Sequence, residues 1–169
     1  SILAGLAEFL PVPGRCKAVT VGDWTVIDDS YNASPASMAA ACEVLRTWNG
    51  ATRKILVTGD MLELGPDAAK YHEILGQQAA AAGVDGLISI GDHADTVLTA
   101  ARQAGMSLGC LATCRREEIS ELLLDCWLDP GSVVLVKGSR AMRMEGIVDQ
   151  IRDLARSRQE QLHPARRAA

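Results

Sequence analysis

A chain of 169 residues is long enough for one domain with a real core. Its 48% apolar and 22% charged residues are those of an ordinary soluble globular protein, and its formal net charge of −4 argues against non-specific nucleic-acid binding. No signal-peptide pattern and no bilayer-length apolar run is present, so we expect a cytoplasmic protein without membrane insertion.

Residues 2–10 read as the tail of a helix, broken by Pro11-Val12-Pro13-Gly14. We therefore assign residues 1–14 to the end of an upstream segment or linker, 15–156 to one domain and 157–169 to a flexible tail. Residues 17–21 and 24–29 flank Gly22-Asp23, a hairpin signal. A helix should follow from Pro35 to about Trp48, with Met38, Ala41, Cys42 and Leu45 on one face. Ile55-Leu56-Val57 reads as a strand buried on both faces. Pro66 opens a helix that Gly83 closes. Leu87-Ile88-Ser89-Ile90 is a second buried strand, and Asp92 should cap a helix ending near Gly105. Residues 108–112 form a weaker strand. Ile119, Leu122, Leu123 and Cys126 mark a helix stopped by Asp129-Pro130-Gly131. Val133-Val134-Leu135-Val136 is a third strong strand, and Met144, Ile147, Val148, Ile151 and Leu154 give the last helix one apolar stripe.

Strands alternating with helices give an α/β fold: an open, mostly parallel, Rossmann-like sheet with helices on both faces and an N-terminal β-hairpin. Three strong strands end alike, in Thr58-Gly59-Asp60, Ile90-Gly91-Asp92 and Lys137-Gly138-Ser139. A glycine there exposes backbone N–H groups to an anion, or merely permits a tight turn, the better account of Gly91. Neither Gly-x-Gly-x-x-Gly nor a P-loop occurs, so this stretch carries no dinucleotide fingerprint and no main phosphate cradle. The five cysteines (Cys16, Cys42, Cys110, Cys114 and Cys126) follow no disulfide framework, and Cys110 and Cys114 lack companion ligands for zinc. They read as reduced thiols. His72 and His93 have no triad or metal partner in the sequence, which favours packing or surface roles.

The densest polar stretch is Val26-Ile27-Asp28-Asp29-Ser30-Tyr31-Asn32-Ala33-Ser34-Pro35. It runs from an apolar strand to a helix start with Ser34 as N-cap and Pro35 at the first helical position. Such junctions lie at the carboxyl edge of a parallel sheet, where open α/β proteins bind ligands. Asp28 and Asp29 are adjacent on a strand, so their side chains point to opposite faces. Lys137, Ser139 and Arg140 bring two cations and a hydroxyl to a third strand end, a natural site for an anion facing the cleft beside Asp29, with Ser139 also able to cap the last helix.

Four segments together resemble the C-terminal domain of a Mur ligase, of the MurF type: Pro11-Val12-Pro13-Gly14-Arg15, residues 27–35, Gly59-Asp60-Met61-Leu62-Glu63-Leu64-Gly65, and Val136-Lys137-Gly138-Ser139-Arg140. Ser34 stands where the family usually has Asn. The resemblance implies the third domain of an ATP-dependent ligase that adds D-alanyl-D-alanine to UDP-N-acetylmuramoyl-tripeptide in peptidoglycan synthesis. Upstream domains of the same chain would hold the UDP-sugar peptide, the P-loop and the magnesium that accompanies ATP. It assigns Arg15 to the ATP phosphates and Asp29 to ribose hydroxyls, with Tyr31 and Asn32 beside the adenosine; core packing accounts for Tyr31 nearly as well. Asp29→Ala is then expected to weaken ATP use with little loss of stability. Asp60, Glu63, Lys137, Ser139 and Arg140 fall to substrate. An acid bracing a loop near a helix N-terminus is an equal account of Asp60 and Glu63. Two rivals remain: another Mur-type or glutamate-adding ligase domain, and a nucleotide- or protein-binding module without catalysis.

Overall fold

The structure, a computed structural model, describes residues 14–162. The reading of residues 2–10 as a helix tail, and residues 163–169, lie outside the described residues. Strands β1 (Lys17–Val21) and β2 (Trp24–Asp29) form the expected antiparallel hairpin across a two-residue loop in which Gly22 adopts φ +61°. That left-handed backbone is what glycine supplies without strain. Helix α1 (Pro35–Thr47) starts on a capping box. The Ser34 hydroxyl accepts the Ser37 N–H at 3.3 Å, and the Ser37 hydroxyl accepts the Ser34 N–H at 2.9 Å. Its buried face is Met38, Ala41, Cys42 and Leu45, as the spacing requires.

Strand β3 (Lys54–Gly59), helix α2 (Ala68–Ala81), strand β4 (Gly86–Ile90) and helix α3 (Ala94–Gln103) repeat the βα pattern. Strand β5 has only Leu111 and Ala112; residues 108–110 form a 3-10 turn where the sequence suggested a longer strand. Leu108 is exposed there and β5 is an edge strand, so no second partner rewards extending it. Helix α4 (Ile119–Cys126), strand β6 (Val133–Lys137) and helix α5 (Glu145–Leu162) complete the chain. The last helix continues beyond residue 156, with exposed i,i+3 pairs Arg152–Asp149 and Arg156–Asp153 along it. No helix among the described residues is long and apolar enough to cross a membrane.

The sheet order is β1-β2-β6-β3-β4-β5, parallel except for the β1–β2 pair. The last strand therefore inserts between the second and third, and all five of its residues are buried. Side chains alternate across it. Val134 and Val136 join the core under α4 and α5, while Val133 and Leu135 join the core under α1, α2 and α3.

Helices α2 and α3 touch through their backbones at Gly76. A Cβ there would lie 2.2 Å from the Val97 carbonyl oxygen and 2.9 Å from the Ala100 methyl. Helix propensity alone favours Gly76→Ala by about 1 kcal/mol. The clash is with backbone and cannot swing aside, so overpacking should win. Gly76→Ala is expected to lower stability by about 1–3 kcal/mol in urea unfolding; an unchanged or raised midpoint would show that the two helices separate freely.

Candidate functional site

Because β2, β6 and β3 are parallel neighbours, three segments far apart in sequence end side by side. Asp29 is opposite Lys137 on one side of β6, and Thr58 is opposite it on the other. Lys137 is 2% exposed. An ammonium at such a place must be fully partnered. Its Nζ donates to Asp29 Oδ2 at 2.6 Å and to the Asn32 carbonyl at 2.9 Å. Asp29 Oδ1 accepts the Cys16 N–H at 3.0 Å. Asp28 turns to the other face, where its Oδ1 accepts both the N–H and the hydroxyl of Ser30 at 3.2 and 2.6 Å. Only one of the two adjacent acids thus reaches the cleft, and it is Asp29.

That cleft has a volume of about 420 Å³ between the end of β2 and the first turns of α1. Arg15, Asp29, Tyr31, Asn32 and Lys137 all line it, so five of the nine sequence-selected residues converge. Its apolar wall is Ala40, Ala41 and Val44 of α1. Tyr31 is not a core residue: it is 43% exposed, with the Arg15 guanidinium 4.7 Å from its ring centroid and that of Arg140 at 5.9 Å. Arg15 has no acidic partner among the described residues, whereas Arg140 pairs with Glu145 at 2.9 Å. The Arg140 N–H also points at the Asn32 side-chain oxygen, 3.4 Å away. Cys16 lines the cleft too, at φ +45°. Burial and the Asp29 charge hold its thiol above the ordinary value, with Lys137 opposing them, so it is not an activated nucleophile. Only its position after Arg15 could have drawn notice to it in the sequence.

Asp60 and Ser139 lie beside this cleft as braces. Asp60 is buried, and its carboxylate accepts the backbone N–H groups of Asp92 and His93 at 2.7 and 3.2 Å. From the position after β3 it therefore holds the N–H groups at the start of α3, the role the sequence suggested for Asp92; the N-cap residue itself, His93, makes no side-chain capping bond. Gly91 permits this approach. It adopts φ +116°, and a Cβ there would lie 2.4 Å from the carboxylate. The N–H groups exposed at this strand end thus already hold an internal anion. Ser139 donates its N–H to the Asp60 carbonyl at 3.0 Å, and its hydroxyl accepts the Leu62 N–H at 2.8 Å. It does not cap α5, which begins six residues later. Glu63 is exposed at φ +63° and its carboxylate has no partner among the described residues. Gly59 and Gly138 are explained by packing: a Cβ on either would meet Met144 at 2.9 or 2.7 Å.

The Lys137–Asp29 pair changes the expectation for Asp29→Ala. The substitution would strand a buried ammonium, so stability should fall as well. We expect a loss of about 2–4 kcal/mol, under the full figure for a wholly buried pair because Asp29 is partly exposed. Adding Lys137→Met should recover most of it. Denaturant unfolding of the two variants checks this; equal stability of wild type and Asp29→Ala would mean that the pair carries no structural weight.

The family described as Mur ligase, glutamate ligase domain, matches residues 14–140. The UDP-N-acetylmuramoyl-tripeptide–D-alanyl-D-alanine ligase of Escherichia coli is 35% identical over 154 residues, 90% of this chain and 32% of the relative. That of Mycobacterium tuberculosis is 33% identical over 170 residues, 89% of this chain and 33% of the relative. Among solved structures, MurF ligase from Thermotoga maritima in complex with ADP superposes with a TM-score of 0.76 at 29% identity, over 90% of this chain and 34% of that one. MurF from Acinetobacter baumannii gives 0.78 at 29% identity, over 90% and 33%. The chain spans about a third of the length of the curated relatives it matches. Sequence motifs, sheet order and these matches agree, and the chain belongs to the Mur ligase family, as its glutamate ligase domain.

Proposed function

We propose that this chain is the third domain of a cytoplasmic ligase that uses ATP to join D-alanyl-D-alanine to UDP-N-acetylmuramoyl-tripeptide in peptidoglycan synthesis. The observation that carries the reading is the convergence of Arg15, Asp29, Tyr31, Asn32 and Lys137 on one cleft at the carboxyl edge of the sheet. The names of the relatives supply the substrate class, and the ADP in one structural neighbour supports a nucleotide.

The residues fit that ligand. A cleft of about 420 Å³ is of small-molecule size. Its alanine and valine wall suits an adenine ring. Asp29 spends one lone pair on each oxygen within the chain and keeps the others for ribose hydroxyls. Lys137 is already neutralised by Asp29, so the cation left for phosphate is Arg15, whose planar fork suits phosphate oxygens. Among the described residues no three His, Cys, Asp or Glu side chains group to hold a metal ion, and we assign the magnesium to the longer protein. The reaction transfers the γ-phosphate to a substrate carboxylate, and the dipeptide amine then displaces phosphate to form the amide. This chain contributes positioning and charge complementarity to it.

The test is phosphate release by the full-length protein. It should require ATP, the UDP-sugar tripeptide and D-alanyl-D-alanine together. Arg15→Ala should lower kcat/KM for ATP about ten- to a hundredfold, the loss of one charge-assisted contact of roughly 1.5–3 kcal/mol. Release with glutamate in place of the dipeptide would point to another branch of the family. An absence of ATP-dependent ligation would leave a binding module.

A further inference from the structure

Residues 60–65 leave the sheet beside the cleft, and the first three of them are pinned at successive backbone positions. Asp60 is held by Ser139 and by the start of α3, and Leu62 by the Ser139 hydroxyl. Between them the Met61 N–H donates to His72 Nε2 at 3.0 Å. His72 lies on α2 and is 1% exposed. Since Nε2 accepts, the ring proton is on Nδ1, which donates to the Ala68 carbonyl at 2.7 Å. The imidazole is therefore neutral, and Asp60, 3.7 Å from Nε2, is a neighbour without an ion pair. The His93 ring stacks on it at 4.3 Å between centroids. At the end of this anchored stretch the chain presents the Leu62 side chain, 41% exposed, and then the Glu63 carboxylate, without a partner among the described residues, in left-handed backbone. An apolar side chain beside a free acid suits a small ligand bearing an ammonium group.

We propose that His72 is a positioning residue for the amine substrate: its unprotonated Nε2 fixes the Met61 backbone, and with it the placement of Leu62 and Glu63 at the carboxyl edge. The identity of the ligand as the dipeptide rests on the ligase reading above; the latch itself rests on geometry. A second proton on His72 would set two N–H groups against each other at Met61, so acid should release the loop. Burial lowers the imidazole pKa, the Ala68 bond opposes that, His93 adds to it and Asp60 opposes it. The stabilisation is then fully present above the unfolded histidine value of about 6.5 and is lost as pH falls through the lower native value.

Two substitutions separate the roles of the ring nitrogens in the full-length protein. His72→Gln carries an amide oxygen toward the Nε2 position and cannot gain a proton there. His72→Asn reaches only the Nδ1 position and keeps a donor for Ala68. His72→Asn should raise amide exchange across residues 61–62 and KM for D-alanyl-D-alanine by about tenfold each, with KM for ATP within about twofold. His72→Gln should match wild type in both at about pH 7.5 and should lack the rise in dipeptide KM expected of wild type on the acid side. Identical behaviour of the two variants would overturn the proposal, as would faster exchange in His72→Asn without a change in dipeptide KM. If the enzyme accepts a different amine, the ligase assignment fails while the exchange and pH comparison still decides the latch. If neither variant folds, nitrogen NMR of wild-type His72 decides: an Nδ1–H tautomer whose titration moves the Met61 amide supports the proposal, and an Nε2–H tautomer overturns it.

Discussion

A buried ammonium needs a partner, and that need organises this sheet edge. Lys137 ends an apolar strand covered on both faces, so its charge is tolerable only where an acid stands beside it. The parallel register of β2 on β6 puts Asp29 there. The same ammonium takes the Asn32 carbonyl, which draws the segment between β2 and α1 over the strand end and shapes the cleft. On its other side β6 neighbours β3, and Ser139, two residues after the lysine, ties down residues 60 and 62. Inserting the last strand between the second and third thus lets one short segment hold both loops.

Residues at this edge divide by what their polar atoms already do. Asp28, Asp60, His72 and Ser139 are buried and partnered within the chain. Arg15, Tyr31, Glu63 and Arg140 are turned to solvent. Asp29 belongs to both groups, since it neutralises Lys137 and faces the cleft. Such a division suits a binding site on strand ends, where groups held in place before a ligand arrives leave less ordering to oppose binding.

Local and periodic features were legible in the sequence. Gly22-Asp23 marked the hairpin, Ser34-Pro35 the start of α1, and the apolar runs the central strands. That Asp29 and Lys137 face one cleft was also legible, because parallel strands place successive loops along one edge; that they pair with each other was not. Features that depend on which strands are neighbours were not. The cap of α3 comes from Asp60, more than thirty residues upstream, and no local pattern distinguishes it from Asp92. His72 reads as a packing histidine until its nitrogens are seen to join Met61 to Ala68. Tyr31 suited core and cleft alike, and its exposure with Arg15 over its ring shows that it faces outward. Strand β5 was overdrawn because composition cannot reveal that a segment lies at an edge with one partner.

The central claim is that the cleft between β2 and α1 receives the nucleotide. The most direct measurement is a structure of the full-length protein with a non-hydrolysable ATP analogue. The adenine should lie against Ala40 and Val44, with the ribose hydroxyls on Asp29, the phosphates toward Arg15, and Lys137 still bound to Asp29. An adenosine seated elsewhere, with no atom of the analogue within reach of Asp29 or Arg15, would contradict the account.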